Sequence, residues 1–186
     1  VDSLSISPQL IFTNETLVAT ASASDVDGDT IALTYDWYVD GVLVQSGADN
    51  TLDGTSFFDK NNQVYVTVTA NDGTEDGVPL DSAAVTVSNS IPLIGTVTIA
   101  PTEATAGVDS LVCSATATDD DGDVLNFSYS WTDPNGNVVS STDTVDAAST
   151  TEGDWLCSAT VDDGTGSSSS SSSVSVLSGS DVDGDG

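Results

Sequence analysis

The chain has almost no positive charge. Of its 186 residues only Lys60 is basic, against 30 Asp and Glu, and histidine and methionine are both missing, which leaves a formal net charge of −29. Without Lys and Arg to displace counterions from phosphates, the chain cannot grip nucleic acid. It has no electrostatic hold on an anionic bilayer surface either. The missing histidine excludes imidazole acid–base chemistry and imidazole zinc sites, and the further lack of methionine excludes haem ligation by either residue. No apolar run approaches the roughly 18 residues of a membrane span, so direct membrane insertion is not expected. Cysteine is confined to Cys113 and Cys157, with no redox motif. Also lacking are a secretory leader and a Met at Val1, which marks a processed product or a piece of a longer chain.

What is present suffices to fold. Hydrophobic residues make up 38% and there are 16 Gly, an ordinary globular share. The sequence also repeats itself. Residues 6–8 (ISP) recur as 99–101 (IAP), 17–29 (LVATASASDVDGD) as 111–123 (LVCSATATDDDGD), and 35–37 (YDW) as 129–131 (YSW). Asp40-Gly41 returns as Asn135-Gly136, and 67–73 (TVTANDG) as 158–164 (SATVDDG). A nearly constant offset of about 90 residues means two tandem copies, 1–89 and 90–177, joined near residues 88–92 and followed by an acidic tail, 178–186.

Within each copy the period is two. Leu17, Ala19, Ala21 and Ala23 alternate with polar residues, as do Leu33, Tyr35, Trp37 and Val64, Val66, Val68, Ala70. The second copy repeats this at Leu111, Cys113, Ala115, Ala117, at Phe127, Tyr129, Trp131 and at Trp155, Cys157, Ala159, Val161. Such alternation puts one face in a core and the other in water. Clusters of Gly, Asp, Asn and Ser make the turns between runs, and no segment carries a helical period. The expected fold is all-β, two tandem immunoglobulin-like β-sandwiches. Tyr35, Trp37, Phe127, Tyr129, Trp131 and Trp155 fall on inward positions, while Tyr38, Phe57, Phe58 and Tyr65 are left as surface contacts. The run 167–173, all serine, is expected as a hairpin leading into a last strand at Val174 and Val176; its other reading is a flexible linker.

Cys113 and Cys157 fall on the second and sixth strands, with Trp131 between them. This resembles the Cys…Trp…Cys order of an immunoglobulin sandwich, and the resemblance implies an inter-sheet disulfide packed on the tryptophan. The other reading is two buried free thiols. A disulfide in a small Ser- and Thr-rich module implies an oxidising, extracellular location. The sequons at Asn14 and Asn126 offer glycosylation acceptors in that setting.

The sharpest chemical signal is Asp25-Val-Asp27-Gly-Asp29 and its twin Asp119-Asp-Asp121-Gly-Asp123. Carboxylates this close repel, by about 1 kcal/mol per pair in water and about 4 at a partly shielded surface. A hard divalent cation reverses that sign, and calcium accepts many oxygens in flexible geometry. In an immunoglobulin-like sandwich the B–C and F–G loops share one end, so Asn71 and Asp72, and in the second copy Asp162 and Asp163, complete the expected ligand sets. That end of the second copy is expected to face the joint near Asn89, so that calcium would stiffen it. The competing reading is that these Asp residues make turns and keep the protein soluble. Asp181, Asp183 and Asp185 repeat the pattern in the tail as further metal ligands.

Taken together, these phrases resemble the tandem Ig-like repeats, close to PKD and cadherin-like modules, of bacterial and archaeal surface or secreted proteins. The tail resembles the start of a dockerin or thrombospondin type 3 calcium repeat. The resemblance implies an extracellular structural role without catalysis, as part of a fibre, filament or stalk whose partners are neighbouring Ig-like domains or copies of itself. A strand around Leu4 and Ile6 is the candidate for donation to a neighbour. The alternative is an adhesin-type module that recognises a glycan or protein ligand. An internal isopeptide bond is not expected, because Lys60 falls in a loop beside Asn61 and Asn62.

Overall fold

Each stretch of period-two alternation forms a paired strand in the computed structural model, which describes residues 1–179. The strands gather into two units, Val1–Ser90 and a second that begins at Ile91.

In the first unit, β1 (Ser3–Ser7), β3 (Thr16–Ser22) and β6 (Thr51–Asp53) form one sheet in the order β1-β3-β6. The facing sheet runs β2 (Ile11–Phe12), β9 (Val85–Ser88), β7 (Gln63–Asn71), β4 (Ala32–Val39), β5 (Val42–Gly47), with β8 (Leu80–Asp81) also paired to β7. The second unit repeats the plan. One sheet is β10 (Leu93–Ala100), β12 (Leu111–Thr118), β15 (Thr144–Val145); the other runs β11 (Ala104–Thr105), β17 (Ser167–Leu177), β16 (Gly153–Asp162), β13 (Asn126–Thr132), β14 (Val138–Ser140). The short second strand of each unit pairs in parallel with that unit's last strand, β2 with β9 and β11 with β17, and so lies in the sheet opposite the first strand.

The cores follow the alternation. Trp37 and Trp131 are fully buried, as are Leu17, Leu52, Val64, Val66 and Val68 in the first unit and Leu111, Cys157 and Val161 in the second. Each large side chain moved out of water contributes about 1.5–3 kcal/mol. Cys113 and Cys157 are bonded (S–S 2.01 Å), linking β12 in one sheet to β16 in the other. Trp131 lies directly opposite Cys157 in the register. In the first unit Ala19 and Val66 hold the corresponding places, opposite Ile6 and Trp37, and both are fully buried.

Four expectations need correction. The serine run is not a hairpin: it is the body of β17, paired residue by residue with β16 from Asp162↔Ser167 to Gly153↔Val176. Ladder hydrogen bonds and the alternation of exposed and half-buried serines suffice there, without apolar side chains. Phe58 is a core residue, 2% exposed, and Phe57 packs against the core beside it. A short helix, α1 (Gly54–Phe57), capped by the Asp53 carboxylate on the Thr55 N–H, swings both rings inward. Gly54 makes room for this, since a Cβ there would lie 2.5 Å from the Glu15 carbonyl and 2.7 Å from the Phe58 ring. Phe127 has the inward parity but is 39% exposed. It is the second residue of β13, and its neighbours Asn126 and Ser128 are exposed as well. Finally, β1 is fully paired with β3 in its own unit, from Ser3↔Ser22 to Ser7↔Val18, which leaves Leu4 and Ile6 engaged there instead of available for donation.

The disulfide closes a sequence separation of 44 residues, worth about 4 kcal/mol in the chain-entropy account. Replacing both cysteines by alanine should lower the unfolding free energy of the second unit by about that amount while leaving the first unit's transition in place, as measured by urea denaturation followed at residue level by NMR.

Candidate metal centre

The two acidic loops share one construction. The first carboxylate folds back and accepts backbone N–H groups from further along its loop: Asp25 Oδ1 from Asp27 (2.8 Å) and Asp29 (3.1 Å), Asp119 Oδ1 from Asp121 (3.0 Å) and Asp123 (3.1 Å). The chain can make this wrap because Gly28 (φ 82°) and Gly122 (φ 70°) occupy the left-handed region, where only glycine is free of strain. The facing loops match as well. Asp72 Oδ1 accepts from the Thr74 N–H and hydroxyl (both 2.7 Å) and the Glu75 N–H (2.8 Å). Asp163 Oδ1 does the same with Thr165 (2.6 and 2.9 Å) and Gly166 (2.6 Å).

In the second unit the loops converge. Asp119, Asp123 and Asp163, all half-buried, each offer one oxygen, and the three oxygens lie within 4.8 Å of one another. The second oxygen of Asp119 is buried and has no hydrogen-bond partner. A buried acceptor left without a donor costs about 1–3 kcal/mol, more when charged. The donor set is purely carboxylate, which suits a hard cation such as calcium. Asp121 shares the loop but lies outside the trio, and Asp162 is exposed, its Oδ1 holding the Gly164 N–H at 2.8 Å.

The first unit differs. Asp25, Asp72 and Glu75 line a shallow hollow of about 110 Å³, but among the described residues the only converging acidic trio is the one in the second unit. Asp27 and Asp29 are exposed. Asn71 is engaged in its own turn, its oxygen accepting the Gly73 N–H and its Nδ2 donating to Asp76 (both 2.7 Å). Sequence reasoning named Asp72 and overlooked Glu75, three residues on.

The remaining sites stand apart. Asn14 is exposed in a turn at φ 68°, and Asn126 opens β13 in an exposed position. Lys60 Nζ donates to Asn89 Oδ1 at 3.0 Å, an asparagine remote in sequence. Tyr38 and Tyr65 stack on each other across β4 and β7 (centroids 4.8 Å apart). Asp181, Asp183 and Asp185 lie outside the described residues. No helix among the described residues is long and apolar enough to cross a membrane.

No family model matches the chain, and comparison with curated proteins finds no match. Solved structures do resemble it. The chicken interferon gamma receptor alpha chain is 11% identical with a TM-score of 0.50, the match covering 90% of this chain and 95% of that one. A segment of two fibronectin type III domains from chicken tenascin is 13% identical (TM-score 0.46; 94% and 98% covered). Three N-terminal domains of the outer capsid protein Hoc of bacteriophage RB49 are 17% identical (TM-score 0.38), the match covering 95% of this chain and 58% of that one. At these identities the likeness concerns the fold alone: the chain is an all-β protein of immunoglobulin-like sandwiches.

Hydrogen bonds from the Glu75 N–H and then Thr74 hold the Asp72 carboxyl below its ordinary value of 3.8. A group lowered on folding stabilises the folded state above its unfolded pKa, and that stability is lost as pH falls through the lower folded value. Asp72→Asn should therefore lower the first unit's stability at neutral pH and flatten its acid limb, with little change once the pH is below the folded-state value, checked by urea titration from neutral to acid pH.

Proposed function

We propose that the chain is an extracellular structural module, a pair of immunoglobulin-like sandwiches serving in a surface fibre, filament or stalk, and that calcium bound by Asp119, Asp123 and Asp163 stabilises it. The single observation that carries the metal reading is the buried, unpartnered Asp119 oxygen beside two further carboxylates. Turn-making alone accounts for the other oxygen of Asp119 and leaves this one without a partner. A divalent cation supplies what is lacking, with water and backbone oxygens filling the remaining calcium coordination.

The structural role draws on the tandem repeat, the disulfide and a surface nearly devoid of cations. No catalytic constellation emerges among the described carboxylates, whose pKa shifts, where resolved, run downward through turn hydrogen bonds; a general acid needs the reverse. Kinship with PKD and cadherin-like repeats of bacterial and archaeal surface proteins, with the tail opening a further calcium repeat, belongs to this reading. Its partners are the next Ig-like domain in a longer chain or another copy.

Thermal unfolding with calcium and with chelator tests the site. At about a hundredfold excess over Kd, a ligand specific for the folded state adds about 2.7 kcal/mol, which raises the second unit's Tm by about 10–20 °C. Asp123→Asn should invert in sign: it lowers the Tm in calcium, by removing a ligand, and raises it in chelator, by relieving repulsion. An unchanged Tm on chelation sinks the site. Electron microscopy of native material tests assembly, and isolated monomers under every ionic condition would count against a fibre.

A further inference from the structure

We infer that the second unit carries a pocket for a neutral saccharide, distinct from the acidic tip. A cavity of about 460 Å³ lies among the β13–β14 turn, β14, β15 and the 3₁₀ turn Ala147–Ser149 before β16, within the roughly 300–1,000 Å³ of ordinary small-ligand sites. Its floor includes Val145 and Trp155, both buried, and Val139, 49% exposed, offers an apolar wall.

Comparison with the first unit isolates what is new. Val145 lies opposite Leu111 in its sheet as Leu52 lies opposite Leu17, so Asp146 corresponds to Asp53. Asp53 is occupied as a cap, taking the Thr55 N–H at 3.1 Å and the Thr55 hydroxyl at 2.7 Å. Asp146 precedes its 3₁₀ turn but makes no side-chain cap bond, and it lines the cavity instead. The position two residues before the buried Cys157 is Trp155, where the first unit has Val64 before Val66. The Trp155 indole N–H donates to the Thr151 carbonyl at 2.9 Å, which fixes the segment carrying Thr151. The helical turn of the first unit ends on Phe58, an apolar core residue; that of the second ends on Thr150, whose hydroxyl bonds backbone groups of Gly107, Asp109 and Ala147. In place of the capping carboxylate of the first unit, the second unit thus has one without a cap bond at the edge of a hollow that Ser149 and Thr151 also line.

The chemistry of the wall selects the ligand class. No basic residue lines the cavity, so anions, sugar acids included, are repelled. The other carboxylate, Asp133, is already held by the Asn135 and Asn137 N–H groups (2.9 and 2.8 Å) and the Asn137 amide. One available carboxylate with the hydroxyls of Ser149 and Thr151 suits a polyol better than a dication. Sugar hydroxyls donate to Asp146 in charge-assisted bonds and accept from Ser149 and Thr151, while the C–H face of the ring rests on Val139.

The test is a ¹⁵N NMR titration of the full chain with glucose, galactose, mannose, N-acetylglucosamine and their short oligomers, in calcium and again in chelator. Binding at about millimolar Kd should shift amides of residues 133–146 and 149–155 equally in both buffers, so that failure of the metal site leaves this result intact. Asp146→Ala should weaken binding about tenfold or more, and Ser149→Trp should block it. Asp53→Ala in the first unit should leave the affinity unchanged. Absence of shifts with every sugar, shifts confined to other residues, or a response to putrescine in place of sugars would overturn the proposal.

Discussion

The fold rests on a tryptophan held between two sheets. Trp37 and Trp131 occupy equivalent places on β4 and β13, both fully buried, and each faces a small or compact residue across the ladder, Val66 or Cys157. A side chain of that size fixes the spacing of the sheets, because interiors pack close to crystal density and leave no slack around it.

Around this common core the two units solve the same problem differently. The first relies on Ala19 and Val66, on Leu52, and on the Phe58 ring delivered by α1; the second has a disulfide and a second buried tryptophan, Trp155. A covalent link between the sheets reduces the entropy of the unfolded chain, so the second unit can carry polar groups where the first has an aromatic. The same unit holds the converging acidic trio and the hydroxyl-lined hollow. Sites that crowd like charges or leave a carboxylate uncapped cost stability, and they lie in the unit with the covalent brace.

Turn chemistry and the proposed ion chemistry draw on the same residues here. Asp119 gives one oxygen to the Asp121 and Asp123 N–H groups and keeps the other buried without a hydrogen-bond partner. The turn hydrogen bonds pre-organise the loop, so a cation would meet a formed site instead of ordering a flexible one, which favours affinity by lowering the entropy lost on binding. Asp25 makes the same turn in the first unit, yet its neighbours there do not converge. Identical local motifs therefore do not guarantee identical sites.

Alternation, repetition and the Asp-Gly spacing are local properties, and they determined the strands, the two copies and the wrap of the acidic loops, because side-chain parity and glycine's access to positive φ act within a few residues. Convergence is not local. That Asp163 meets Asp119 and Asp123, that Phe58 turns inward while Phe127 stays half out, that seven serines make one strand, and that Asp146 borders a hollow where Asp53 caps a helix, all depend on distances between segments far apart in the chain. Those distances are set by packing two sheets around one ring, a condition that no window of sequence contains.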